Sequence, residues 1–276
     1  MYKYNTPQEL FTAICDKIRD KTNSNELINH QDIPDKIDDL VDSDIINEYN
    51  ELLSIINQDT IIELNNNEIE NINIRYANCT NLTTVNLPKC TSIGNYTFKN
   101  CTNLTIVNLP KCTSIGDYAF YNCTSLATID LPECTSIGEY AFTSCYNLTT
   151  VNLPKCTSIG NTAFNICTNL TTVNLPKCTS IGDYAFYNCT SLATIDLPKC
   201  TSIGEYAFEN CTSLTTIILS NNQVATLGNI NAFYSSSIVN GAGYIYVPDN
   251  LVDSYKTATK WSTYANQIKP ISELSN

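Results

Sequence analysis

Thirteen of the fourteen cysteines in this chain stand on a ruler of 11 residues: Cys79, Cys90, Cys101, Cys112, Cys123, Cys134, Cys145, Cys156, Cys167, Cys178, Cys189, Cys200 and Cys211. No active site needs such an array. It marks one short structural unit laid down repeatedly, the signature of a solenoid or a similar stack. The true period is 22. Residues 79–100 read CTNLTTVNLPKCTSIGNYTFKN and residues 101–122 read CTNLTIVNLPKCTSIGDYAFYN. The unit recurs from 123, 145, 167 and 189, and a partial copy starts at Cys211. A longer echo lies over it: residues 123–142 and 189–208 differ only at Glu133 against Lys199, a spacing of 66.

Within a coil, Leu82, Val85 and Leu87 set the apolar pattern. Val85 and Leu87 are two apart and share one face of a strand, so Thr84 and Asn86 point out. Pro88 cannot donate to a ladder and ends the strand. Ile93 and Gly94 begin the return side, with the glycine read as a tight bend. Tyr96, Thr97 and Phe98 close the coil. Phe98, Phe120, Phe142, Phe164, Phe186 and Phe208 repeat in register and predict an inner aromatic column. One coil cannot bury its apolar edge, whereas stacked coils cover one another. The expected fold is a β-rich α/β repeat solenoid with one parallel sheet built from segments such as 84–87, 106–109 and 128–131.

The pattern L-x-x-V-x-L-P-x-C-x-x-I-G-x-x-A-F-x-x-C resembles the leucine-rich repeat of the BspA-like, treponemal class. The likeness covers about residues 79–219. It implies a right-handed leucine-rich repeat solenoid with 22-residue coils and a role as a non-enzymatic interaction or adhesion module. Cys90 and its equivalents depart from the usual apolar residue at that position. The change is mild, because a free cysteine packs as a small hydrophobe.

Equivalent cysteines of neighbouring coils have Cα atoms about 4.8 Å apart, within reach of a disulfide. Their side chains point the same way, however, which leaves the Cβ atoms wider than the ~3.8 Å a disulfide wants. Columns of seven and six also cannot pair off evenly. No C-x-x-C motif suggests a metal. Buried, free thiols with no disulfide are expected.

Residues 1–59 read as a helical N-terminal cap or attachment region, 60–220 as the solenoid with 60–78 a degenerate first coil, and 221–276 as a C-terminal cap. Thr6-Pro7-Gln8-Glu9 is a capping box, followed by an apolar helical face of Leu10, Phe11, Ile14 and Ile18. The segment LFTAICDKIRDKTNSNELINHQDIPDKI is similar to a helical module of phage and prophage structural proteins from Gram-positive bacteria. Near the other end, Gly243–Pro248 reads as a strand, Asp249 as a helix cap, and Trp261 as the anchor of a strand–helix cap that resembles the closing segment of BspA-like proteins.

Acidic residues outnumber basic ones by 27 to 15, and no basic patch forms, which argues against nucleic acid and anionic membrane. No stretch of about 18 apolar residues suggests a membrane span, and Met1–Asn5 lacks the features of a signal peptide. No nucleotide loop or H-E-x-x-H is present, and His30, the lone histidine, reads as a surface residue. No catalytic residue, metal or cofactor is expected, and the chain is read as not an enzyme. The candidate binding surface is the outward strand face: Thr84, Asn86, Ile106, Asn108, Thr128, Asp130, Thr150, Asn152, Thr172, Asn174, Thr194 and Asp196. The expected partner is a protein or glycan surface, on a cell exterior or a phage particle. The alternative is an assembly component docked through the acidic N-terminal helices. Asn-Cys-Thr at 78, 100, 122, 188 and 210 matches the glycosylation acceptor pattern and reads as a by-product of the repeat.

Overall fold

The computed structural model describes residues 63–65, 71–72 and 76–274. The helices expected within 1–59, His30 and Cys15 lie outside the described residues. The chain is a parallel β-solenoid. Each coil contributes a three-residue front strand and a two-residue back strand. The front strands take odd numbers: β1 Glu63–Asn65, β3 Thr84–Asn86, β5 Ile106–Asn108, β7 Thr128–Asp130, β9 Thr150–Asn152, β11 Thr172–Asn174, β13 Thr194–Asp196 and β15 Thr216–Ile218. The back strands take even numbers, from β2 Asn71–Ile72 and β4 Ser92–Ile93 to β16 Thr226–Leu227.

The expectation of one sheet is corrected to three. The back strands form an unbroken eight-stranded sheet, β2 to β16. The front is divided into a three-stranded sheet, β1-β3-β5, and a seven-stranded sheet that runs from β7 to β15 and on to β17 (Tyr244–Val247) and β18 (Ile268–Pro270). The return side pairs because Ser92–Ile93 and its copies are extended and stack in register, Ser on Ser and Ile on Ile, with Asn71 on Ser92 at the first junction.

The core lies between the two faces. Leu82, Val85, Leu87, Cys90, Phe98 and Cys101 are fully buried, and the pattern repeats along the stack. The predicted phenylalanine column is present, with neighbouring rings 5.2–5.4 Å apart from Phe98 to Phe208. Tyr76 extends it at one end and Phe233 at the other. Offset stacking at these distances adds to the burial of each ring.

The glycine of each coil is not there for a special backbone angle, as its reading as a bend implied. The left-handed residue comes two positions later, at Tyr96, Tyr118, Tyr140, Thr162, Tyr184 and Tyr206, with φ of 55–60°. The glycine is needed because coils touch there. A Cβ on Gly160 would meet the Gly138 carbonyl carbon at 2.6 Å.

At the C-terminal end, Trp261 is buried and donates Nε1–H to the Ala225 carbonyl at 2.6 Å. Its ring lies 5.1 Å from Tyr255 on the short helix α1, Val252–Thr257. Trp261 is thus the anchor its sequence context suggests. Asp249 does not cap a helix: it opens a 3-10 turn, and its Oδ1 accepts the Ser272 N–H at 3.2 Å. Hydrogen bonding by the Ser272 side chain, and then by its backbone N–H, draws the Asp249 carboxyl below its usual range.

Candidate functional site

None of the twelve predicted face residues is buried. Alternation along the strands turns Thr84 and Asn86 outward while Val85 points in, and the same holds down the stack. The outward amides form a ladder. Asn108 Nδ2 donates to Asn86 Oδ1 at 2.7 Å, Asn152 to Asp130 at 2.7 Å, and Asn174 to Asn152 at 2.6 Å. Each of these amides donates to the coil before it. A second ladder runs beside it, with threonine hydroxyls as donors: Thr105 to the Thr83 carbonyl, Thr149 to Ala127, Thr171 to Thr149 and Thr215 to Ala193.

This polarity explains the break in the front sheet. An aspartate at a rung can accept but has no amide to donate backwards. Asp130 follows Asn108, and Asp196 follows Asn174. At the same two coils the threonine donor is replaced, by Ala127 and Ala193. Both ladder links to the previous coil are therefore missing together, and there remains a hydroxyl bond nearer the turn, Thr124 to the Thr102 carbonyl and Thr190 to the Thr168 carbonyl. Strands β5 and β7 do not pair, and β11 meets β13 only at Asn174 and Asp196. Side chains on both sides of each seam are the more exposed ones, Ile106 most of all at 56%. The 66-residue echo is thus visible in three dimensions as two seams.

The thirteen cysteines from Cys79 to Cys211 are all buried. The two columns use their weak S–H donors differently. Cys123 and its equivalents donate to a carbonyl of the preceding coil, Cys123 to Phe98 at 3.1 Å and Cys167 to Phe142 at 3.2 Å. Cys112 and its equivalents donate to the serine carbonyl two residues on, at 3.2 Å for Ser114. Burial pushes Cys112, Cys134, Cys145 and Cys178 up to about 12. Such thiols are poor nucleophiles and poor metal ligands.

Sequence reasoning missed a second outward array. Tyr96, Tyr118 and Tyr140 stack with centroids 4.9 and 4.6 Å apart, and Tyr184 and Tyr206 continue the line at 4.9 Å. Lys99 Nζ lies 5.3–5.7 Å from the rings of Tyr96, Tyr118 and Tyr121. The available signal was a tyrosine two residues before each phenylalanine, interrupted once, at Thr162. The Asn-Cys-Thr motifs also gain an account. Asn78, Asn100, Asn122, Asn188 and Asn210 take left-handed backbone angles of 58–66°, a conformation asparagine tolerates.

Short parallel strands, one inward leucine-rich face and 22-residue coils define a leucine-rich repeat solenoid. The BspA type leucine rich repeat region matches residues 73–178 and 135–258, and the chain belongs to that family. The match leaves residues 1–72 uncovered. No curated protein matches the chain. Among solved structures, the leucine-rich repeat protein of T. pallidum is 29% identical, with 58% of this chain and 83% of that one covered and a TM-score of 0.51. A leucine-rich repeat protein from Eubacterium ventriosum is 24% identical, covering 58% and 54%, with a TM-score of 0.49. A leucine rich cell surface protein from Faecalibacterium prausnitzii is 22% identical, covering 69% and 64%, with a TM-score of 0.35.

Proposed function

We propose that this chain is a non-enzymatic recognition module that presents its front strand face to an extended protein or glycan surface, in the manner of an adhesin. The observation that supports this reading is the regular outward column of Asn, Asp and Thr, with none of its twelve residues buried. Extended, repetitive surfaces are what solenoids offer to partners. The near-uniform rungs suit a repetitive target engaged at many weak points rather than one small ligand.

The test is a paired substitution, Asn108→Arg with Asn174→Arg. Each of these amides donates to the previous rung and faces an aspartate rung next, so replacing it breaks one exposed bond. Asn152 is less suitable, because it bonds on both sides. Binding of labelled protein to bacterial and host-cell surfaces should be lost in the double variant while its melting temperature stays close to that of the parent. Undiminished binding would remove the front face from consideration.

A further inference from the structure

The tyrosine ladder lacks one rung. Tyr140 and Tyr184 are two coils apart, and between them the position is held by Thr162. Two coil steps of about 4.8 Å set the facing rings about 10 Å apart, and a six-membered ring midway would lie about 5 Å from each, a normal stacking distance. Tyr118, which has a ring on each side, is half-buried, whereas Tyr184 is 39% exposed with Tyr206 stacked on one side only. Thr162 itself is only 8% exposed. It forms a floor rather than a filling.

The coil that carries the gap is also the irregular one. Thr162 and Ile166 are β-branched residues at φ of 59°, where the other coils place Tyr and mostly Asn. Side chains of this kind are outliers in left-handed backbone, and strain of this sort gathers at functional positions. Asn165 stands where Tyr121 and Tyr187 stand in other coils. Those rings lie 5.7 and 5.9 Å from the ladder ring of their own coil. Asn165 Oδ1 is, among the described residues, the one buried side-chain polar atom without a hydrogen-bond partner. The rim is rich in acceptors: Glu139, Asn161 and Asp183 each adjoin a ladder position and are tied together, Asn161 Nδ2 to Glu139 at 3.1 Å and Asp183 N–H to Asn161 Oδ1 at 2.9 Å.

We infer that the gap between Tyr140 and Tyr184 is a binding site for one neutral pyranose ring of a glycan. The two tyrosine faces would hold the C–H faces of the sugar, and its hydroxyls would donate to the Glu139 and Asp183 carboxylates on the rim. A phenylalanine ring would fill the same gap but has no donor for the rim, and a tyrosine has one O–H where a pyranose has several hydroxyls. Carboxylates on the rim disfavour acidic sugars. The site lies apart from the front face and stands or falls independently of it.

Thr162→Tyr completes the ladder with a residue that five other coils already carry at this angle, so it should fold with an unchanged or higher melting temperature. Calorimetric titration of the full chain with cellotriose, chitotriose, galactotriose and mannotriose should show saturable binding of at least one. That binding should fall about tenfold or more in Thr162→Tyr, the effect of losing an aromatic contact on each side. Tyr184→Leu, which keeps bulk and removes the ring face, should weaken it as well and serves if Thr162→Tyr does not fold. The Asn108→Arg/Asn174→Arg pair should leave it intact. The inference fails if none of the four sugars binds, or if Thr162→Tyr and Tyr184→Leu bind as the parent does. Binding of 4-methylphenol without any sugar, or preference for an oligouronate, would overturn it equally.

Discussion

The front and back sheets of this solenoid are made by the same coils, yet only the back one is continuous. On the back, the coils from β4 to β14 repeat Thr-Ser-Ile, with Asn71–Ile72 before them and Thr226–Leu227 after. Thr113, Thr135, Thr157, Thr179, Thr201 and Thr226 all donate their hydroxyl to the threonine carbonyl one coil before. On the front, the donors are removed at two coils three apart: the sheet opens at the first, between β5 and β7, and is thinned to the single Asn174–Asp196 pairing at the second. Backbone period alone therefore does not guarantee a continuous sheet. In strands of two or three residues, the loss of one or two side-chain bonds at a junction goes with the loss of part or all of the pairing there.

The largest effect expected from breaking this arrangement lies in the core, which both sheets share. Phe142→Ala should cost about 3–5 kcal/mol in chemical denaturation, the usual loss for a buried phenylalanine. Phe208→Ala should cost as much, because Phe233 covers it at 5.8 Å. A small effect at Phe208 alone would show that the C-terminal end packs loosely.

The seams give a sharper test. Ala127→Thr with Asp130→Asn restores both missing donors and should close the first seam, adding about 1–2 kcal/mol for two hydrogen bonds. Slower amide hydrogen exchange in β5 and β7 would report the new pairing. The converse pair, Thr149→Ala with Asn152→Asp, should open a seam inside a continuous block and cost a similar amount. No change in exchange from either pair would mean that side-chain donors do not control the front sheet.

Thiol chemistry compares the inside of the stack with its surface. At pH 8 the thirteen cysteines from Cys79 to Cys211 should react slowly with a disulfide reagent in the native protein and all at once after unfolding. The thiols from Cys90 to Cys211 lie above their ordinary range, with Cys156 and Cys200 pushed by burial to about 11, while Cys79, drawn down by its hydrogen bond with Cys101, is shielded by packing alone. Rapid labelling of several of them would contradict the packing described.

The smallest effect concerns Asp196. Its next rung is Ile218, which has no amide to offer, and the desolvation of a carboxylate beside that apolar neighbour raises it above the usual range although the side chain is exposed. A raised carboxyl means that the folded protein holds this proton more tightly than the unfolded chain. The group therefore destabilises the fold at neutral pH, and that penalty fades as pH falls through the folded value toward the unfolded one. Asp196→Asn should be slightly more stable than the parent near pH 7, with the difference shrinking on acidification. A difference that grows at low pH would reverse the assignment.

Much of this was legible in the sequence. The 22-residue period, the inward Leu, Val and phenylalanine columns and the buried thiols follow from spacing, because stacked identical coils bring identical residues into register. The outward face residues were legible for the same reason, through alternation on either side of Val85. Three features belong to the tertiary structure. The back sheet escaped because two residues per coil are too few for a strand pattern. The tyrosine ladder and its gap at Thr162 depend on left-handed backbone two residues after each glycine, and residue type alone does not report a backbone angle. The seams depend on the direction in which the ladders donate. Sequence shows Asp130 and Asp196 as single changes in a uniform column, and only the stacked coils reveal that every amide points backwards, so that an aspartate there breaks the link to the coil before it.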